Sequence, residues 1–378
     1  MNKRLYPRLH LFNYNMKQYN FRLVILVIAA SILGILVINS AADGFASRQI
    51  FGFIVGFIAL VIVSLIDYNF ILNFQWPLYF FGILMLLAVL LFGVTVNNAR
   101  RWFSLGPLGT IQPSEFCKII MILFLAKLVA DHRDSISRLR TLLWFGLLYM
   151  IPVFLIYREP NLSTTLVYIF LFIVMIFVGG LSYRFIGKVL LCIVPVGAFL
   201  VWYIQQPFQI LLHGYQLNRI LAFLNPEAYQ LTTANQQYNS VMAIGSGMLA
   251  GKGLNNNTIT SVKGGNFISE QQTDFIFSVV GEELGFIGSC ITIILLALIV
   301  FECFRVAQNA TSMTGRLIAA GVGSMIGFQT FVNIGVATGL LPNTGLPLPF
   351  ISYGLSALLS NMIGIGLVIN IGLQRSRR

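Results

Sequence analysis

Charge is scarce in this sequence: Asp, Glu, Lys and Arg supply only 10% of its 378 residues, against about 25% in ordinary soluble domains. A soluble domain of this length needs far more polar surface to cover its core, which excludes a cytosolic enzyme. Cysteine is scarce too. Cys117, Cys192, Cys290 and Cys303 all fall in or beside apolar stretches, with no CxxC spacing. That excludes a disulfide-framed secreted domain, and the four read as small buried hydrophobes. The three histidines, His10, His132 and His213, lie far apart and outside the apolar runs. No histidine-rich metal site is offered, so acid–base chemistry falls to carboxylates. Hydrophobicity takes the place of these residues, at 57% of the chain, with 32 Phe and a mean hydropathy of +0.83. A disordered chain is thereby excluded.

The chain reads as an all-α polytopic membrane protein. A hydrocarbon core about 30 Å thick needs about 20 apolar residues per helix. Runs of that kind lie near 22–39, 50–66, 76–94, 115–130, 141–157, 164–180, 186–204, 275–302, 315–340 and 352–372. They predict about ten transmembrane helices in a single integral membrane domain over 1–378, with both termini on one side. The first run exceeds a usual signal-peptide core and is kept as a helix. With the N-terminus inside, Arg48, Arg100, Arg101, Lys118, Arg158, Arg219, Lys252 and Lys263 fall outside, and the other sixteen of the 24 basic residues fall inside. This bias puts both termini in the cytoplasm. It also accounts for most of the net charge of +12, so nucleic-acid binding is not needed to explain it.

A large extracytoplasmic loop, about 205–274, separates helices seven and eight. It includes amphipathic pieces such as 217–224, and a segment of that length in a compact protein usually has a function. Four polar clusters share its side of the membrane. The first is Arg100-Arg101-Trp102 followed by Gln112-Pro113-Ser114-Glu115-Phe116-Cys117-Lys118. Here Ser114 can cap the fourth helix, and Glu115 and Lys118, three apart, share one face. They form a local ion pair at a helix start or, with Arg101, a groove for an anion. The second, Arg158-Glu159-Pro160-Asn161-Leu162-Ser163-Thr164, suits a helix start capped by Asn or Ser. The third runs from Glu270 through Thr273 and Asp274 to Glu282-Glu283. Thr273 or Asp274 can cap, but the two glutamates lie deeper, and one of them must face a partner or a polar cavity. The fourth is Asn333 with the Pro- and Gly-rich stretch 338–354, which cannot stay one straight helix and is tolerated at membrane depth only if buried or lining a cavity. Together these form an outward-facing site suited to an amphiphile with an anionic head, such as a lipid-linked phosphate or pyrophosphate.

At these same residues the chain resembles the SEDS family (shape, elongation, division and sporulation), whose members include RodA, FtsW and SpoVE. The likeness spans all ten expected helices. It is most specific at Arg100-Arg101-Trp102 with 112–118, at 243–247 with Gly251-Lys252-Gly253, at 273–277 with 281–285, and at 345–354. Asn333-Ile334-Gly335 followed by 344–350 is more like the RodA elongation branch than FtsW. The chain departs from the family in having Glu159-Pro160-Asn161-Leu162-Ser163-Thr164 in place of Gln-Pro-Asp-Leu-Gly-Thr. It also has Leu355 in place of the second glycine of Ser-Tyr-Gly-Gly-Ser, and Met248 in place of another glycine.

The resemblance implies a peptidoglycan glycosyltransferase that polymerises lipid II, the undecaprenyl-pyrophosphate-linked disaccharide-pentapeptide, at the outer face of the bacterial cytoplasmic membrane. The implied partner is a class B penicillin-binding protein, the transpeptidase that crosslinks the strand. In the implied reaction the 4-hydroxyl of one sugar attacks C1 of another with inversion. It needs a general base and cations for the departing pyrophosphate. Asp274 is the implied base, and its place at the outer rim also suits one, since partial burial raises a carboxylate pKa. Arg101 and Lys118 are the leaving-group cations, with Glu115 orienting Lys118 or shaping the groove. No cofactor is demanded, although a divalent cation such as Mg or Mn bridging pyrophosphate and carboxylate is chemically reasonable. The rival is a lipid II flippase without chemistry, which ten helices and broken segments would equally suit. Against it, the polar clusters concentrate on one face.

Overall fold

In lipid, a long apolar segment satisfies its backbone only as a helix or within a closed barrel, and helices are what form. The computed structural model describes residues 18–374, except Asp43, Asn97, Asn98, Leu105, Pro107, Leu108, most of 184–234, and 256–266 apart from Ser261 and Gly265. The helices are α1 (Phe21–Ala41), α2 (Phe45–Leu65), the short α3 (Tyr68–Leu72), α4 (Gln75–Phe92), α5 (Pro113–Asp131), α6 (Leu139–Arg158), α7 (Leu162–Val178), α8 (Asn235–Ser246), α9 (Ile276–Gln308), α10 (Met313–Ala337) and α11 (Leu355–Leu373). Among the described residues, seven of these are long and apolar enough by themselves to cross a membrane. The expected spans coincide with α1, α2, α4, α5, α6, α7, α9, α10 and α11. The seventh, near 186–204, and the amphipathic piece 217–224 lie largely outside the described residues. The loop after it contains α8, so it is not without structure.

Burial is arranged inside out relative to a soluble bundle. Phe80, Leu84 and Leu91 of α4, and Leu143, Leu147 and Phe154 of α6, are exposed at helical spacing, forming apolar stripes that suit lipid contact. α5, α10 and α11 are buried along most of their length. α2 runs along α11 on a seam of small residues, which lets backbones approach where lipid offers no hydrophobic drive. A Cβ at Gly52 would stand 2.5 Å from Leu355 Cδ2, and one at Gly366 would stand 2.7 Å from Leu60 O. Polar bonds close the seam at both ends. Gln49 Nε2 donates to Ser352 O at 3.3 Å, Asn370 Nδ2 to Ser64 O at 2.9 Å, and Gln374 Nε2 to Asp67 Oδ1 at 2.7 Å.

Two features were not expected. The stretch between α4 and α5 is a three-stranded antiparallel meander, β1 (Val94–Val96), β2 (Ala99–Ser104) and β3 (Thr110–Ile111), which pairs Val94 with Trp102 and Phe103 with Ile111. Secondly, α9 is kinked at Gly285, whose φ of 66° and ψ of −161° are not helical. Residues 247–253 lie directly on this kink. Lys252 N–H donates to Glu282 O at 2.9 Å and Phe286 N–H to Met248 O at 2.9 Å. A Cβ at Gly247 would sit 1.9 Å from Gly281 O, so only glycine permits the approach.

Candidate functional site

α5 begins two residues earlier than its capping signal suggests. Pro113 occupies the first turn, where its missing N–H is no loss, and Gln112 is the N-cap without a side-chain bond. Ser114 therefore caps nothing, and its hydroxyl has no partner among the described residues. Neighbouring helices brace this end of α5. Gln112 N–H donates to Ser356 Oγ at 2.9 Å, Ser360 Oγ donates to Glu115 O at 2.6 Å, and Tyr168 Oη donates to Ser114 O at 2.9 Å. Glu115 and Lys118 form the ion pair their spacing allows, at 2.8 Å, and Lys118 has no exposed surface. That bond uses one of the ammonium's three donors.

β2 carries Arg101 to the same end. It is half-buried, and its guanidinium carbon lies 4.3 Å from the centroid of the Trp102 ring. It is electrostatically coupled to Glu159, the first residue beyond α6. Glu159 is fully buried, and neither of its oxygens has a hydrogen-bond partner among the described residues. Burial pushes its carboxyl up to about 8, against the opposing pull of Arg101. Asn161 caps α7 as expected, with Oδ1 accepting from Thr164 N–H at 3.2 Å. Ser163 Oγ then donates to Thr344 O, which ties α7 to the proline-rich segment.

That segment wraps Asp274. Asn333 Nδ2 donates to Asp274 O at 2.8 Å and to Leu346 O at 2.7 Å, while Ser352 Oγ donates to Thr273 O at 2.7 Å. Leu346, Leu348 and Phe350 are buried, so the irregular backbone is sheltered by protein, as membrane depth requires. Gly345, at φ +77°, passes so close that a Cβ there would stand 2.9 Å from Asp274 Oδ2. Asp274 is half-buried. The N-cap of α9 is Phe275, with no side-chain bond to the helix start, so neither Thr273 nor Asp274 takes that role.

Glu282 and Glu283 belong to a different feature. Glu282 pairs with Lys252 at 2.7 Å, and Glu283 accepts from Ser40 Oγ at 2.5 Å. Glu282 fastens 247–253 to the kink, and Glu283 fastens α1 to it. Among the described residues no three His, Cys, Asp or Glu side chains converge as a metal centre. A cavity of about 530 Å³ lies at the opposite end of the helices, lined by Asn20, Arg22, Glu302 and Arg305, and contains none of these residues.

One end of the bundle therefore brings together Arg101, the Glu115–Lys118 pair, Asp274, and unpartnered polar atoms of Ser114, Glu159, Asn161, Asn333 and Thr344. Buried polar atoms without partners are rare in folded proteins, and several gathered here mark this as a polar end of the bundle. The sequence reading placed Glu159 only in a helix start, although the structure brings it to this group. An acid next to a long apolar run was the available signal.

Known proteins share this architecture. A family model described as a cell cycle protein, covering FtsW, RodA and SpoVE, matches residues 11–377. Peptidoglycan glycosyltransferase MrdB of Escherichia coli (strain K12) is 34% identical over 358 residues, spanning 93% of each chain. A chain from a structure described as the coordination of polymerization and crosslinking by a peptidoglycan synthase complex is 31% identical, with a TM-score of 0.81 over 95% of this chain and 99% of that one. The rod shape determining protein RodA of Thermus thermophilus is 29% identical, with a TM-score of 0.69 over 97% and 99%.

Proposed function

Since the chain belongs to the FtsW, RodA and SpoVE family and is a multi-pass membrane peptidoglycan glycosyltransferase, we propose that it polymerises lipid II at the outer face of the cytoplasmic membrane, in the elongation role of RodA. The observation that carries this reading is the convergence at one end of Arg101, Lys118 and a half-buried Asp274, amid polar atoms that lack partners among the described residues. The acceptor 4-hydroxyl gives its proton to Asp274 as its oxygen bonds to C1 of the donor sugar. The C1–O bond to the pyrophosphate breaks on the opposite face. Arg101 and Lys118 stabilise the charge that grows there, where low dielectric strengthens their field. Glu115 holds Lys118 at its end of α5. Asn333 and Gly345 fix Asp274 by its carbonyl and by contact, so the base is placed before substrate arrives.

A class B penicillin-binding protein fits as partner, in keeping with the similarity to a chain of a peptidoglycan synthase complex. The test is purified protein with lipid II, with and without a cognate transpeptidase, read as glycan polymer on a gel. Polymer from either reaction supports the assignment. Movement of lipid II across vesicles without polymer would favour a flippase.

A further inference from the structure

Glu159 is a carboxylate in a place that disfavours its charge. It has no exposed surface, and its oxygens meet no hydrogen-bond donor among the described residues. An ion buried that way is expensive, so the group there is either neutral or met by a ligand. Three elements face it. β2 contributes Arg101 and α5 contributes Cys117, both within electrostatic reach. α5 also carries the Glu115–Lys118 ion pair. On α7, the hydroxyl of Tyr168 is already committed to Ser114 O. On its own helix the neighbouring Arg158 points to the exposed surface. Beside it, Asn161 Nδ2 is unpartnered as well. An open amide donor and an open carboxyl next to a guanidinium would hold a phosphate oxygen if the carboxyl keeps its proton, and would repel it if not.

We propose that Glu159 acts as a neutral acid, donating a hydrogen bond to a phosphate oxygen of the lipid-linked substrate beside Arg101. This rests on the function proposed above and assigns a further substrate contact within it. The proton stays on the carboxyl throughout, so the contact is a hydrogen bond only. Burial already favours the protonated form, up to about pH 8. A bound phosphate strengthens that preference, because it engages Arg101 and repels a carboxylate, so proton and substrate bind cooperatively. Above that pH the donor is lost and the substrate is held less tightly.

The test compares the full-length wild type in detergent with Glu159→Gln, whose amide donates at every pH, and Glu159→Ala, which donates at none. Binding of undecaprenyl pyrophosphate is measured at pH 7 and pH 9, with phosphatidylglycerol as the control for any anionic lipid. The wild-type Kd should weaken about tenfold over that interval as the protonated fraction falls. Glu159→Gln should change less than twofold, and Glu159→Ala should bind weakly at both. Titration of the phosphates cancels in the ratio of wild type to Glu159→Gln. A flat ratio overturns the proposal, and so does the same pH-dependent ratio with phosphatidylglycerol. Polymerisation of lipid II by the same preparations reads the parent function separately. The expected binding ratio without any polymer would keep Glu159 as a phosphate donor and remove the assignment of glycosyl transfer.

Discussion

Removing the charge of Asp274 separates chemistry from folding. Asp274→Asn keeps the carbonyl that Asn333 holds, and α9 does not depend on position 274 for its cap. Polymerisation should therefore fall about 10²–10⁴-fold, the usual cost of a general base, with little change in melting temperature. Normal polymerisation by this variant would end the assignment. Lys118 is a harder case. Lys118→Ala would leave Glu115 charged and alone in a buried site, a loss on the order of 3–5 kcal/mol, so lost activity would be confounded by instability. Glu115→Gln with Lys118→Met avoids this. The double variant should melt near the wild type and still make no polymer, whereas a polymer-forming double variant would reduce the pair to structure. Glu159 can be followed by stability alone. Its folded carboxyl lies near 8, above the ordinary 4.5, so between those values the unfolded chain has lost a proton that the native state keeps. Stability is full below the lower value and falls as pH rises towards 8, by up to about 1.4 kcal/mol per pH unit. Glu159→Gln cannot ionise, so its melting temperature should pull above the wild type's from pH 5 to pH 8, and parallel curves would mean that Glu159 does not titrate there. Residue by residue, Arg101, Glu115, Lys118 and Asp274 were legible as charges beside apolar runs. Glu159 was not, since only burial distinguishes it from a helix-end acid.

Two glycine-bearing motifs, 243–253 and 281–285, are separate in sequence but meet as one contact. Gly247 and Gly251 lie against the backbone of Gly281 and Glu283, and Gly285 carries the kink. Gly285→Ala would put a Cβ 2.3 Å from Gly251 N in a backbone region suited to glycine. It should cost about 1–3 kcal/mol and, because Asp274 leads into the same helix, lower polymerisation as well. A wild-type melting curve would show that the joint tolerates a side chain. Met248 adopts φ 51°, which gives a physical reason for glycine at that place in the family pattern. The helices were legible because their apolar runs are long. The joint and the β-meander were not, because each depends on which distant backbone lies alongside, and neither leaves a periodic pattern. Helix starts misled for a related reason: Ser114 and Asp274 are good capping residues, but α5 starts on Pro113 and α9 after Phe275.

For the whole molecule, the split of basic residues predicts a cytoplasmic C-terminus, and the proposed function requires the site on the outer face. A reporter fused after Arg378 should be active only in its cytoplasmic form, and a signal from the outside would move the site to the wrong compartment for lipid II polymerisation. The nine described spans could be placed from hydropathy, but not which helices form the centre, because α5 and α10 look no more apolar than helices that face lipid. The α2–α11 seam also has a consequence in time. Its bonds join residues 303 to 307 positions apart. Ribosomes add about 5–20 residues per second, so α2 spends about 15–60 s in the bilayer before α11 is made. Through that interval the carbonyl of Ser64 has no Asn370 to accept from, Gln49 has no Ser352 to donate to, and the α2–α11 seam is unmade. Any message cut short before Leu355 yields a chain whose first helices never meet their closing partner.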